Sequence, residues 1–225
     1  MFPFTAEQFL GVFESYNLAV FPMQLIAYAL VLIAVFLVFK KRSGKIVPAI
    51  LSFMWLWNGI AYHLLFFSPI NKAAYGFAVL FVIEGVLFVW TGVLRKNLSF
   101  RYPQSRLFSN LGLIAIVYSM VVYPAIGMLL GHIYPRAPMF GIAPCPTTIF
   151  TLGLLLWTSP RIPRYVVIIP LLWSVIGFGA ALNFGIQEDI GLLVTGVLAA
   201  TLILYRQRKI TRVGYVGAQG ELTKI

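Results

Sequence analysis

The sequence predicts an all-α integral membrane protein, a bundle of seven transmembrane helices preceded by a short amphipathic helix. Three observations predict this class. The 225 residues are 60% hydrophobic and only 10% charged, whereas charged residues make up roughly a quarter of a soluble domain. Apolar runs long enough to cross a hydrocarbon core of about 30 Å recur along the chain. Basic residues fall in alternate gaps between those runs.

Residues 1–17 predict a short helix at the membrane interface. Thr5 can cap this helix, and Gln8 three residues later completes a capping box. Phe4 and Phe9 occupy the positions of a hydrophobic staple across the cap. Two interpretations stay open: the helix anchors the chain to the membrane surface, or it forms a lid over an outward-facing cavity.

Seven apolar runs follow, separated by short polar gaps. They are Leu18–Phe39, Ile46–Phe67, Ala73–Leu94, Phe108–Gly131, Phe140–Thr158, Tyr165–Asn183 and Ile190–Tyr205. A transmembrane helix needs about 20 apolar residues, so the last run is short. We expect one seven-helix membrane domain over residues 18–205 and a basic, flexible cytoplasmic tail over residues 206–225.

The charge distribution predicts an orientation. Fifteen of the seventeen Lys and Arg residues lie within 40–45, 95–106, 161–164 and 206–224, the gaps after runs one, three, five and seven. The positive-inside rule makes this side cytoplasmic, so the N-terminus is predicted outside and the C-terminus inside. The net charge of +11 indicates anionic lipid head groups as partners. No nucleic acid is expected, because the basic residues flank apolar runs and are not interleaved with exposed aromatic residues.

Polar side chains inside the runs are the candidate functional residues, because lipid burial makes them costly. Glu84 lies in the middle of run three, where an ionised acid costs about 2.5–3.5 kcal/mol. It is expected to be protonated, to face a wet cavity, or to be hydrogen-bonded to Asn58 or a threonine. In run two, a helical period of about 100° per residue predicts that one face points into the bundle, made of Ser52, Trp55, Asn58, Gly59, Tyr62 and His63.

Run five opens with Pro144-Cys145-Pro146. The two prolines remove two backbone donors, so the freed carbonyl groups must be buried in protein or line a cavity. A Cys-Pro dipeptide resembles the metal-passing element of heavy-metal pumps and heme-thiolate sites, which makes Cys145 and His63 candidate metal ligands. The alternative is a small buried thiol at the start of a helix shaped by proline.

The polar groups agree in depth. The outer half of the membrane is predicted to contain Gln24, His63, Cys145, Thr147, Thr148 and Asn183, and Tyr62 shares the polar face with His63. Asn58 and Glu84 lie just beneath, near the midplane. The sequence therefore predicts a polar pocket that opens outward and narrows to Glu84.

Several function classes are excluded or not favoured. Run seven has no lysine for a retinal Schiff base, and a single cysteine excludes an intramolecular disulfide. His63 and His132 lie at compatible depths for a heme between two helices, but we expect no cofactor. No HExxH, Walker A or GxSxG motif is present, which argues against an enzyme.

Three stretches carry a resemblance to a known family. They are Pro3–Phe9 followed by Tyr16-Asn17, then Pro144–Thr151, then Glu188–Leu192. They resemble blocks of an uncharacterised family of bacterial multi-pass membrane proteins, a domain of unknown function. The resemblance covers most of the chain and implies a protein of the bacterial cytoplasmic (inner) membrane. It implies no activity and assigns no functional residue.

Three functional hypotheses follow. The first is a small-solute or ion transporter, or a binding protein, with an outward-facing polar pocket above a protonatable Glu84. The second is a non-catalytic sensory or structural membrane protein that acts through partners. The third is a protein that handles a soft metal or heme through Cys145 and His63.

Overall fold

The chain folds into a helical bundle, and a computed structural model describes residues 3–158 and 162–222. Among these residues the only β feature is an isolated bridge between Phe100 and Thr158, so the all-α prediction is confirmed. The α-helices are α1 Ala6–Ala19, α2 Met23–Phe39, α3 Ile46–Trp57, α4 Ala74–Phe88, α5 Arg106–Val117, α6 Tyr123–Leu129, α7 Pro144–Leu156, α8 Ile168–Phe184 and α9 Ile190–Leu222.

Several helices change geometry along their length. A π-helix over Asn58–Phe67 continues α3, another over Val89–Leu94 continues α4, and a third over Tyr118–Val122 joins α5 to α6. Short 3-10 turns, Arg164–Val167 and Gln187–Asp189, precede α8 and α9. π-helical segments are rare and often occur near functional sites. An α-helix together with the π or 3-10 segments that continue it is called a rod here.

The described residues contain five to six candidate membrane spans, judged by length and composition, which is typical of a multi-pass membrane protein. Five rods are long and apolar enough to cross a membrane, namely Ile46–Phe67, Ala74–Leu94, Arg106–Leu129, Arg164–Phe184 and Gln187–Arg208. α1 and α2 are bent by 82° and become a sixth candidate if they count as one broken span. α7 has 13 residues and is about 20 Å long, shorter than the hydrocarbon core. The predicted fifth run is therefore a shorter helix than a full span requires.

α7 is the central helix of the bundle. All of its residues except Cys145 are buried, and it packs against α3, α5, α8 and α9. Its end lies very close to α5, where a Cβ at Gly112 would lie 2.3 Å from the indole nitrogen of Trp157. That nitrogen donates to the Ser109 carbonyl at 3.1 Å. Because protein surrounds α7, its sequence can be apolar on all faces without any contact with lipid.

At one end of the bundle, called here the α1 end, α1 lies against the connection between α6 and α7. The Tyr16 hydroxyl donates to the Ile142 carbonyl at 3.0 Å. The Asn17 amide donates to the Pro135 carbonyl at 2.6 Å. The loops before α4 and before α9 lie at the same end, since Phe4 of the N-terminal segment contacts both Phe67 and Phe184.

The opposite end, called here the basic end, gathers the remaining connections. The Ser43 hydroxyl donates to the Phe100 carbonyl at 2.6 Å, and the Arg206 guanidinium donates to the Thr158 carbonyl at 3.2 Å. Successive rods therefore alternate in direction. Arg161 and Lys224, two of the residues in the charge pattern, lie outside the described residues. α9 itself continues to Leu222, well into the segment predicted as a tail.

The inward face predicted for run two is confirmed. All six residues are buried: Ser52, Trp55, Asn58, Gly59, Tyr62 and His63. The opposite face carries the exposed side chains of Phe53, Ile60 and Leu64. Helical periodicity was sufficient here because the division between protein and lipid is a local property of one helix.

Candidate functional site

A cavity of about 70 Å³ lies beneath α1 at the α1 end of the bundle. This exceeds the roughly 10–15 Å³ that one water molecule needs, so a small molecule has room. The roof comes from α1 and the segment before it, with Phe4, Phe9 and Phe13. The walls come from the ends of neighbouring rods, with Tyr62, Phe67 and Phe184. The floor comes from α7, α8 and the residue before α9, with Cys145, Trp173 and Asp189.

The roof follows from local sequence signals. The Thr5 N–H donates to Oε1 of Gln8 at 2.9 Å, and the Gln8 N–H donates to Oγ1 of Thr5 at 3.2 Å. The predicted capping box is therefore confirmed. The rings of Phe4 and Phe9 stack with centroids 5.9 Å apart, as the staple requires. Phe13 lies one turn beyond Phe9, so these two rings share the inner face of α1. Phe4, which precedes the helix, packs against Phe9.

Polar contacts hold the other faces of α1. Arg136 pairs with Glu7 and also with Glu14, the latter at 3.6 Å. On the inner side, the Trp57 indole donates to the Tyr16 hydroxyl at 2.7 Å. α1 is thus tied to the bundle on its outer and inner faces. Of the two interpretations of this helix, the geometry is that of a lid over a cavity.

Asp189 supplies the acidic group of the cavity floor. It is fully buried, and the Tyr123 hydroxyl donates to its Oδ1 at 2.7 Å. The Cys145 thiol is a second neighbour of this carboxyl group. Asp189 directly precedes α9, where the positive end of the helix dipole favours a carboxylate. No ion pair to Asp189 occurs among the described residues.

Glu188, the preceding residue, is also fully buried but has a basic partner. Nδ1 of His132 lies 3.0 Å from its Oε1. The Tyr118 hydroxyl donates to its backbone carbonyl at 2.7 Å. This acid pair entered the sequence analysis only within the Glu188–Leu192 stretch, and its burial was not predicted. The one available signal was the position of two acids immediately before an apolar helix.

Of the residues predicted from sequence, Tyr62 and Cys145 line the cavity. A Cβ at Gly177 would lie 3.3 Å from both the Cys145 sulfur and the Trp173 indole nitrogen, so these two groups meet at the floor. His63 is one step removed. Its ring centroid lies 5.0 Å from that of Trp173, and neither ring nitrogen has a hydrogen-bond partner among the described residues.

Asn58, Thr147 and Thr148 form a buried polar layer outside the cavity lining. The Asn58 amide donates to its own helix at the Met54 carbonyl, 2.8 Å away, and lies 3.4 Å from Oγ1 of Thr147. Both threonine hydroxyls donate to carbonyl groups four residues earlier, those of Ala143 and Pro144. Each hydroxyl therefore already donates its hydrogen to a backbone carbonyl group.

Gln24 and Asn183 are not brought to the cavity. The buried Gln24 amide donates to the Asn17 carbonyl at 2.8 Å and so joins α1 to α2. Asn183 is exposed and donates to the Gly179 carbonyl at 2.7 Å. It lines a separate surface depression together with the cap of α1.

Glu84 is likewise absent from the cavity lining. It is fully buried, and neither carboxyl oxygen has a hydrogen-bond partner among the described residues. Phe81 and Phe88 flank it one turn away on the same buried face of α4. The cavity therefore ends at Asp189. It does not narrow towards Glu84, which differs from the arrangement predicted from the sequence.

For metal chemistry, the described residues contain no group of three His, Cys, Asp or Glu side chains that could hold an ion together. Cys145 and His63 are both neighbours of Trp173. His132, the second histidine weighed for a heme, is engaged with Glu188.

Comparison with known proteins adds family membership. No curated protein and no solved structure matches the chain. The sequence pattern of one family matches residues 6–213, which includes the lid, all the rods and the cavity floor. The chain belongs to the family of unknown function DUF6064.

Proposed function

We propose that this protein is a membrane protein that binds a small organic molecule in the cavity beneath α1. The observation that carries the proposal is the construction of the cavity: aromatic walls, a few convergent polar groups, and a tethered helix as roof. Small-molecule sites are typically concave and apolar, with a small number of placed polar groups that orient the ligand.

We further propose seven membrane passes in a bacterial cytoplasmic membrane, with the α1 end outside. The support is the charge pattern, because the basic end would lie at the cytoplasmic surface of the membrane, next to anionic lipid head groups. The cavity would then open to the outside. A C-terminal fusion tests this orientation: green fluorescent protein is expected to fluoresce there, and alkaline phosphatase to be inactive. Active phosphatase at the C-terminus would reverse the assignment.

Bound small molecules retained through purification test the binding proposal. Ile176 lines the cavity, whereas the adjacent Val175 is exposed on the outer face of α8. Native mass spectrometry of protein in lipid nanodiscs is expected to detect a retained molecule in wild type and in Val175→Trp. Ile176→Trp fills the cavity and is expected to lose it. Equal retention by both variants would place the ligand elsewhere.

Transport is the activity that we propose for this site, with Glu84 as a protonatable group outside the cavity. Its support is the buried carboxyl group without a partner, since such groups in membrane segments are usually retained for function. Once a retained molecule is identified, its flux into vesicles can be compared for wild type and Glu84→Gln. Equal flux would remove Glu84 from the mechanism.

A sensory protein is the second candidate. The observation that favours it is the pair of acids on the outer face of α1, Glu7 and Glu14, both held by Arg136. A ligand beneath α1 would change how firmly the lid is closed and present a different outer surface to a partner. Ligand binding without any flux across vesicles would favour this candidate.

A further inference from the structure

We propose that the ligand of the cavity is a small organic cation, of the quaternary or primary ammonium class, held between Asp189 and the aromatic walls. This inference rests on the proposed function and names the chemistry of its ligand. It joins two features that have been described separately: a buried acid without a basic partner and a cavity surrounded by rings.

The groups around the floor leave one acid, Asp189, without a basic partner among the described residues. Glu188 has His132 at 3.0 Å, so that acid has a partner of its own. Asp189 is neighboured by the Tyr123 hydroxyl and the Cys145 thiol, which are neutral donors. In the part of the chain that the structure describes, no Lys, Arg or His lines the cavity. A buried carboxylate is costly unless a cation pairs with it, and a cationic ligand supplies that partner.

The walls suit an organic cation better than a metal ion. Nine of the eighteen lining residues are Phe, Tyr or Trp. A ring face attracts a cation, most strongly in the case of Trp, and quaternary ammonium groups are often bound in aromatic cages. Ca²⁺, in contrast, takes about six to eight oxygen ligands, and only four of the lining side chains contain oxygen: Tyr62, Asn71, Tyr123 and Asp189.

Aromatic rings also form the entrance to the cavity. A surface depression of about 390 Å³ shares Phe4 and Phe184 with the cavity, so these rings separate the cavity from the outside. Their centroids lie 5.1 Å apart. Among the described residues, the α1 end carries the acids Glu7, Glu14, Glu188 and Asp189 and the bases Lys72, His132 and Arg136. Glu7 and Glu14 pair with Arg136, and Glu188 pairs with His132, so Asp189 is the acid left without a basic partner.

Choline and its neutral carbon isostere, 3,3-dimethylbutan-1-ol, test the inference, because they share a shape and differ by one charge. Binding to the full-length protein in nanodiscs is measured by titration calorimetry. Wild type is expected to bind choline at least tenfold more tightly than the isostere. Asp189→Asn, which keeps an oxygen acceptor for Tyr123, is expected to weaken choline binding by about thirtyfold or more. Val175→Trp, on the exposed outer face of α8, is the control and is expected to bind choline as wild type does.

A second variant tests the aromatic contribution even if Asp189→Asn does not fold. Phe9→Leu keeps an apolar roof but removes one ring, and is expected to weaken choline binding about two- to fivefold with isostere binding unchanged. Equal binding of choline and the isostere by wild type would overturn the cation inference and leave the binding proposal standing. Binding of neither probe would overturn it as well, and the retained-molecule measurement then decides separately whether the cavity binds anything.

Discussion

Asp189 and Glu84 are both fully buried acids, but their surroundings differ in kind. Asp189 accepts a hydrogen bond from Tyr123 and faces a cavity. Glu84 lies between Phe81 and Phe88 on α4, and its carboxyl oxygens have no partner among the described residues. A carboxyl group with donors and adjacent space can hold a charge, whereas one without them is stable in its neutral form. Depth in the membrane alone therefore does not identify a site; the neighbouring groups do.

The largest loss of stability is expected when Glu188, the acid beside Asp189, loses its basic partner His132. His132→Ala leaves the fully buried Glu188 carboxyl group without its partner, and we expect the free energy of unfolding to fall by about 3–5 kcal/mol. His132→Gln retains a donor near Glu188 and is expected to cost less. Reversible unfolding in mixed micelles measures both. Equal losses for the two variants would show that the His132–Glu188 contact does not stabilise the fold.

Leucine substitutions compare the two acids directly. Asp189→Leu leaves the buried Tyr123 hydroxyl without its acceptor, and a loss of about 1–3 kcal/mol of unfolding free energy is expected. Glu84→Leu removes an unpartnered carboxyl group, so stability is expected to be unchanged or higher. Combining Asp189→Leu with Tyr123→Phe is expected to recover part of the loss, because both partners are then gone. A comparable loss in Glu84→Leu would contradict the comparison.

Two glycines compare the packing around the two acids. A Cβ at Gly191, two residues after Asp189, would lie 2.3–2.5 Å from the Tyr118 ring and hydroxyl. Gly191→Ala is therefore expected to cost about 1–3 kcal/mol. Gly76 is on the helix of Glu84 and has no atom within 4 Å of such a Cβ. Gly76→Ala is expected to stabilise by about 0.5–1 kcal/mol through helix propensity. Melting temperatures in detergent would reveal the opposite signs.

The smallest effect is expected for the lid tether. Arg136 and its partners Glu7 and Glu14 are substantially exposed, so Arg136→Gln is expected to cost at most about 1 kcal/mol. Salt screens such pairs. The melting temperature of wild type should therefore fall slightly more between low and high salt than that of the variant. Identical salt dependence would mean that the tether contributes nothing to closing α1.

Features that depend on one helix could be predicted from the sequence. The capping box at Thr5 and Gln8 and the buried face of α3 follow from spacing within a few turns. The position of the cavity could not be predicted in this way. It depends on α1 folding back over distant residues such as Ile142 and Phe184, and such contacts leave no periodic signal in the sequence.

The buried acids show the same limit. Glu188 and Asp189 stand between two apolar runs, where charged residues are usually exposed to water. In the folded chain they are buried, and they contact Tyr118, Tyr123 and His132. Glu84, in contrast, is easily recognised in the sequence, because it is an acid inside an apolar run. What the sequence cannot display is which acid has donors and space around it.

The shortness of α7 has a consequence for how the protein is made. Its 13 residues are too few to bridge a hydrocarbon core unaided, and its position calls for protein on every side. Two of the helices that enclose it, α8 and α9, follow it in the chain and are synthesised later. α7 therefore reaches its final environment only after they have entered the membrane. The cavity floor, where Cys145 meets Asp189, is completed in the same late step of biogenesis.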